Sequence, residues 1–173
     1  MTDRELIQRF QEGDVRSFDE LAKRHYPRTY EFFSHIVPDL MEADDLCQET
    51  YIRVYRGLKK FRGESEFTTW LYRISVNVAN SHFRKRRIME VFSADEHVTE
   101  ASSDDPQNQP HVDRTLWRAI GRLPRKQKTV LLLRVFQELS FKEVAGVLAI
   151  SENSAKVNYH HAINRLKSLA GED

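Results

Sequence analysis

The chain has 173 residues, 40% of them hydrophobic, and 27 Lys and Arg against 26 Asp and Glu. Glycine and proline are few and β-branched alternation is nearly absent, so an all-α protein of one ordinary domain or two small ones is expected. No apolar run approaches membrane-spanning length, Met1 is followed by Thr-Asp-Arg-Glu and not by a signal-peptide pattern, and the single cysteine, Cys47, excludes an internal disulfide and any multi-cysteine metal site. A cytoplasmic protein without direct membrane insertion is expected.

The near-neutral total hides an uneven spread: residues 1–93 carry a net +1, residues 94–111 a net −5 and residues 112–173 a net +5. A basic small unit favours a polyanionic partner, although a solvated surface explains the same charge.

The spacing predicts N-terminal helices over about 3–12, 15–36, 42–60 and 68–87. In the third, Ala43, Leu46, Cys47, Thr50, Tyr51, Val54, Tyr55 and Leu58 form one continuous apolar stripe. Cys47 lies on it and reads as a small buried hydrophobe. Asp45, Gln48, Glu49 and Ile52 lie off it. Acids near a helix start favour its dipole, which is reason enough for them, and they equally suit a docking face. Periodicity leaves both readings open.

In the fourth helix Phe67, Trp70, Leu71, Ile74 and Val78 make the apolar stripe, after a short loop FRGESE that contains Gly63. The helix ends on Arg84, Lys85, Arg86 and Arg87. Aromatic and polar groups beside a cationic helix can hold unpaired bases. A helix hairpin with Phe67 and Trp70 in its core accounts for the aromatics equally well.

Residues 94–111 combine two prolines, many small polar residues and almost nothing to bury, which reads as a flexible linker. Fully extended it spans up to roughly 60 Å, enough to let two domains grip distant sites on a partner.

C-terminal helices are expected over about 112–122, 125–137, 140–148 and 151–169. Pro124 suits the start of the second, and Ser140 with Glu143 is a capping-box pair. Phe141, Val144, Ala145 and Leu148 form the apolar face of the short third helix. Ala149-Ile150-Ser151 then reads as a tight turn with Ser151 as N-cap, completing a helix-turn-helix whose second helix is suited to the major groove. In that helix Ala155, Tyr159, Ala162 and Leu166 share the core side. Asn153, Val157, His160, His161 and Asn164 lie opposite, with Lys156 on the flank. Asn and His can bond base edges, Val157 can touch a thymine methyl, and Lys156 can reach phosphate or guanine. Adjacent helical residues point about 100° apart, so His160 and His161 make a poor metal pair.

No catalytic constellation, phosphate loop or distinctive carboxylate pair is present, so neither an enzyme nor a cofactor is expected. Two readings fit the residues by themselves: a conventional helix-turn-helix repressor or activator with an N-terminal regulatory domain, and a helical adaptor that binds no DNA.

The segments ADDLCQETYIRVYRGLKKF and FRGESEFTTWLYRISVNVANSHFRKRR, followed by LPRKQKTVLLLRVFQELSFKEVAGVLAISENSAKVNYHHAINRLK, resemble the extracytoplasmic-function (ECF) sigma factors, small two-domain bacterial initiation factors. The resemblance covers nearly the whole chain and implies two helical domains, 1–93 and 112–173, joined by the linker 94–111. It implies that Asp44, Asp45, Gln48 and Glu49 meet core RNA polymerase at its β′ coiled coil, with β as a further partner. It implies that Phe61, Arg62, Gly63, Glu64 and Ser65 capture a flipped minus-10 base, while Asn77, Asn80, Arg84, Arg86 and Arg87 hold the melted strand. The minus-35 element would be met by Ser151, Asn153, Ser154, Lys156, Val157, His160, His161 and Arg165. An anti-sigma factor is a further implied partner. Val157, Asn158, His161 and Ile163 stand where the family commonly has Ser, Arg, Arg and Arg, so a weaker phosphate grip is expected of this helix.

Overall fold

A computed structural model describes residues 1–92 and 114–170, and every element among them is helical. The chain divides into two compact units. The linker expected over 94–111 lies outside the described residues.

The N-terminal unit has four helices: α1 (Asp3–Gln11), α2 (Arg16–Ile36), α3 (Leu40–Leu58) and α4 (Phe67–Phe92). α1 opens on a capping box in which Thr2 and Glu5 satisfy each other's backbone N–H groups, and the bonds to Thr2 hold the Glu5 carboxyl below its usual range. α3 starts two residues before the expected position because the Asp39 carboxylate caps the Met41 N–H at 2.8 Å. α4 runs five residues beyond its expected end at 87.

Leu6, Ile7, Phe10, Leu21, Val54, Leu58, Phe67 and Leu71 form the core, against which Phe18, Phe61, Trp70 and Ile74 pack. The α3 stripe is buried as expected except at Tyr55, which is 40% exposed. Twelve residues on from Ala43 the helix has turned about 120°, so Tyr55 sits at the stripe's edge. Its ring meets Phe10 and Phe18 edge-on, at centroid separations of 5.3 and 5.0 Å.

The C-terminal unit comprises α5 (Arg114–Gly121), α6 (Arg125–Leu131), α7 (Phe141–Leu148) and α8 (Glu152–Ala170). The segment expected as one helix over 125–137 is helical from 125 to 136 but not α throughout. It passes into a π-helical turn over Leu132–Phe136, where the Gln137 N–H donates to the Leu132 carbonyl at 3.1 Å and the Leu139 N–H to Leu133 at 3.1 Å. Four successive apolar residues, Val130, Leu131, Leu132 and Leu133, are all buried, more than one face of a regular α-helix can hide. The Arg134 guanidinium ties this turn to α7, donating to the Leu139 carbonyl at 3.2 Å and lying 5.1 Å from the Phe141 ring centre.

The Ser140–Glu143 capping box is formed. Between α7 and α8, Ala149 adopts a left-handed conformation (φ 53°), and the Ile150 N–H returns to the Ala145 carbonyl at 3.1 Å. Ser151 then caps α8, its hydroxyl accepting from the Ser154 N–H at 3.0 Å.

A side chain in the left-handed region costs about 1–2 kcal/mol, partly offset by the larger unfolded-state entropy of glycine. Ala149→Gly should therefore leave this unit's stability unchanged or raise it by up to about 1 kcal/mol, read from chemical denaturation. Burial pushes the Cys47 thiol up to about 12. It should stay protonated and unlabelled by a disulfide reagent between about pH 8 and 10, where an ordinary cysteine of pKa about 8.5 reacts faster at each step. The same reagent should label it fully in denaturant.

Candidate polymerase and DNA interfaces

Directly opposite the buried stripe of α3, Met41, Asp45, Gln48 and Ile52 recur at i, i+4, i+7 and i+11 and are all exposed. Met41, the most exposed of them at 77%, escaped the sequence reading, and its signal was the three-four spacing from Asp45 and Gln48. The four acidic and amide residues expected on this surface are not equivalent. Asp45 is exposed, and Glu49 pairs with Arg53 at 2.7 Å. Asp44 is half-buried, and both its oxygens are used inside the domain: Oδ1 accepts from the Tyr26 hydroxyl and Oδ2 from Gln48 Nε2, each at 2.6 Å. The bond to Asp44 is the main reason the Tyr26 hydroxyl is held well above its usual range.

Two side chains hold the start of the loop 61–66. Gln11 Nε2 donates to the Leu58 carbonyl at 3.0 Å and to the Phe61 carbonyl at 2.9 Å, a role that no sequence pattern signals. The Phe61 ring turns inward, 4.9 Å from Trp70 and 6.3 Å from Phe67 between centroids. Phe67 is buried and meets His25 at 5.1 Å. Phe67 lies in the core, and Phe61 and Trp70 are half-buried against it. They form a floor beneath the loop. Trp70 lies so close to α3 that a Cβ on Gly57 would meet its ring at 3.0 Å. Above the floor Arg62, Gly63 and Glu64 are exposed and Ser65 is half-exposed. Gly63 has φ +70°, which glycine adopts without strain.

On α4, Asn77, Asn80, Arg84 and Arg87 fall at i, i+3, i+7 and i+10 and make one exposed stripe. Arg86 lies about 180° round the helix from Asn77 and faces α3, its Nη1 3.8 Å from Glu42 Oε2.

On α8, Ala155 and Ala162 are fully buried, while Asn153, Lys156, Val157, His160, His161, Asn164 and Arg165 are exposed. Tyr159 and Leu166 pack on the core, as expected. Lys156 pairs with Glu152 at 2.8 Å, and that contact lowers the Glu152 carboxyl. Ser151 and Ser154 are occupied by the helix start, and the Asn158 amide donates back to the Ser154 carbonyl at 2.8 Å. Ile163, at a position where a basic residue was the family expectation, packs against the core of Ile120, Leu123, Leu131 and Ala162. Its lack of charge therefore removes less from the outer face than the linear sequence suggests. Among the described residues no group of three or more His, Cys, Asp or Glu is placed to hold a metal ion, and no helix is long and apolar enough to cross a membrane.

Residues 21–88 match the Sigma-70 region 2 family and residues 113–166 the Sigma-70 region 4 family. The chain is 35% identical over 158 residues to the RNA polymerase sigma-H factor of Pseudomonas aeruginosa, covering 84% of this chain and 82% of that protein. It is 31% identical over 160 residues to the ECF RNA polymerase sigma-E factor of Escherichia coli K12, covering 86% and 83%. Its fold resembles that of the sigma factor RpoE solved with the anti-sigma factor NepR from Bartonella quintana, with a TM-score of 0.79, 21% identity and coverage of 92% and 99%. It also resembles CnrH, solved with the cytosolic domain of CnrY, with a TM-score of 0.75, 23% identity and coverage of 99% and 98%. With two sigma-70 regions in order on two helical units, the chain belongs to the ECF sigma factors, the initiation factors that direct RNA polymerase to promoters.

Proposed function

We propose a division of that task among three surfaces, each lying opposite an apolar core. The outer face of α3 binds core RNA polymerase at the β′ coiled coil. Asp45, Gln48 and Glu49 meet the partner, Met41 and Ile52 flank them, and Asp44 orients Gln48 from behind. The spacing of Met41, Asp45, Gln48 and Ile52 suits a partner that is itself a helix.

The loop 61–66 holds an unstacked minus-10 base over the floor of Phe61, Phe67 and Trp70. Gly63 lets the backbone turn, and Arg62, Glu64 and Ser65 supply the polar contacts. Unstacking a base costs a few kcal/mol, which such a pocket offsets. Asn77, Asn80, Arg84 and Arg87 follow the strand away from it. The outer face of α8 reads the minus-35 element through Asn153, Val157, His160 and His161. Lys156 and Arg165 meet phosphate, and Ser151 and Ser154 fix the helix start beside it through their cap hydrogen bond. The observation that carries this reading is the coincidence of every one of these polar faces with the side of its helix that packing leaves exposed.

The protein acts in the cytoplasm, contacts β as well as β′, uses no cofactor and catalyses nothing itself. An anti-sigma factor controls it. This last proposal draws on RpoE, which was solved with such a partner.

Asp45→Lys combined with Glu49→Lys should weaken core-polymerase binding at least about ten-fold, the equivalent of ~1.4 kcal/mol. Thermal stability should change by no more than about 0.5 kcal/mol. Normal affinity in the folded double variant would remove α3 from the interface. Replacing residues 62–66 by a Gly/Ser loop should preserve core binding yet abolish opening of duplex promoters, read by permanganate footprinting. An unchanged bubble and an unchanged minus-10 base preference would make FRGESE a plain helix connection. His160→Ala and His161→Ala should each relax preference at particular minus-35 positions, a lost base contact being worth about 1–3 kcal/mol. A base-by-base selection profile that does not move would turn α8 away from the groove.

A further inference from the structure

Four consecutive cations, Arg84 to Arg87, lie in the C-terminal half of α4, and like charges three and four residues apart destabilise a helix. Their side chains separate into two groups. Arg84 and Arg87 belong to the exposed stripe with Asn77 and Asn80, and among the described residues neither makes an ion pair. Arg86 points the other way. It converges with His82, one turn earlier on α4, upon Glu42 in the first turn of α3: His82 Nε2 lies 3.7 Å and Arg86 Nη1 3.8 Å from Glu42 Oε2. Glu42 Oε2 and His82 Nε2 are both buried and have no hydrogen-bond partner among the described residues. Buried polar atoms in native proteins are nearly always satisfied, so this trio is held by charge and packing at an energetic cost. Such a cost is maintained where a geometry is needed.

We propose that Glu42 is a positioning residue for the DNA-binding helix. Through His82 and Arg86 it draws the cationic end of α4 against α3. Arg86 then acts as an internal strut and not as a phosphate contact, which leaves Arg84 and Arg87 aligned with Asn77 and Asn80 for the strand. The inference rests on the assignment of the α4 stripe to melted DNA. It separates Arg86 from Arg87, which the linear run of charges groups together, and it gives Glu42 and His82 a part in DNA binding although neither touches DNA.

The experiment measures binding of the full chain to a twelve-nucleotide oligothymidylate by fluorescence anisotropy across a salt series. Arg84→Ala and Arg87→Ala should each weaken binding and flatten the slope of log affinity against log salt by about 0.7, the value for one phosphate contact on a single strand. Arg86→Ala and Glu42→Gln should each weaken binding about two- to five-fold, the range of a partly exposed ion pair, with the slope unchanged. The double variant should bind no worse than either single one, because both changes break the same link. Arg86→Lys, which keeps a cation for Glu42, should restore most of the affinity and guards against an unfolded alanine variant, as does the circular dichroism spectrum of each protein. A flattened slope in Arg86→Ala would make Arg86 an ordinary phosphate contact and overturn the proposal. So would unchanged or tighter binding by Glu42→Gln, or additive losses in the double variant. If Arg84→Ala and Arg87→Ala alter neither affinity nor slope, the assignment of α4 to the strand fails first, and the strut loses its purpose with it.

Discussion

The apolar stripe of α3 is the constraint from which the N-terminal unit follows. Ala43, Cys47, Thr50, Val54 and Leu58 are all completely buried, and α1, α2 and α4 pack around them. A helix that buries one side this fully leaves the opposite side exposed, and on α3 that side carries Met41, Asp45, Gln48 and Ile52. The same stripe reaches Leu58, next to the loop, so the register of α3 also sets where the loop begins. Gln11 fastens that point from α1 with hydrogen bonds to the Leu58 and Phe61 carbonyls, the first of which also accepts from the Phe61 N–H at 3.1 Å. The exposed face of α3 and the start of the loop are thus placed by the packing of one helix.

The C-terminal unit solves a different problem. Its apolar run at 130–133 is too dense for one face of an α-helix, and the π turn absorbs it. The chain then has to reverse into α7 and again into α8. It does so with a capping box at Ser140, a left-handed residue at Ala149 and a hydroxyl cap at Ser151. Each of these satisfies backbone groups that a short helix would otherwise leave open, contributing about 0.5–2 kcal/mol in the capping cases. Their joint effect is to aim the outer face of α8.

Exposure alone overstates which polar groups are available to a partner. Asp44, Glu49, Lys156 and Arg86 all have counterparts within their own unit. For Glu49 and Lys156 these are exposed pairs four residues apart, worth about 0.3–0.5 kcal/mol, and a phosphate or a partner charge can replace them readily. Asp44 differs, because two short hydrogen bonds hold a half-buried carboxylate and make it a scaffold for Gln48. The bare sequence ADDLCQE does not separate these cases.

The sequence by itself determined the all-α class, the eight helices to within a few residues, the caps at Ser140 and Ser151 and the core sides of α3 and α8. Those features depend on local periodicity and on hydrogen bonds made within one turn. The motifs from Ala43 to Arg87 and from Leu123 to Lys167 were also enough to place the chain among the ECF sigma factors. Only the tertiary structure decided the points where separate helices meet. It placed Phe61 and Trp70 in the floor and not on the surface, brought Gln11 to the loop start, turned Ile163 inward, opened the π turn and left Tyr55 at the edge of its stripe. It also set Arg86 against Glu42, across a sequence separation that no single-helix pattern spans. Periodicity reports which side of a helix is apolar. Which neighbour that side meets, and which polar group is spent inside the domain, follows from packing in three dimensions.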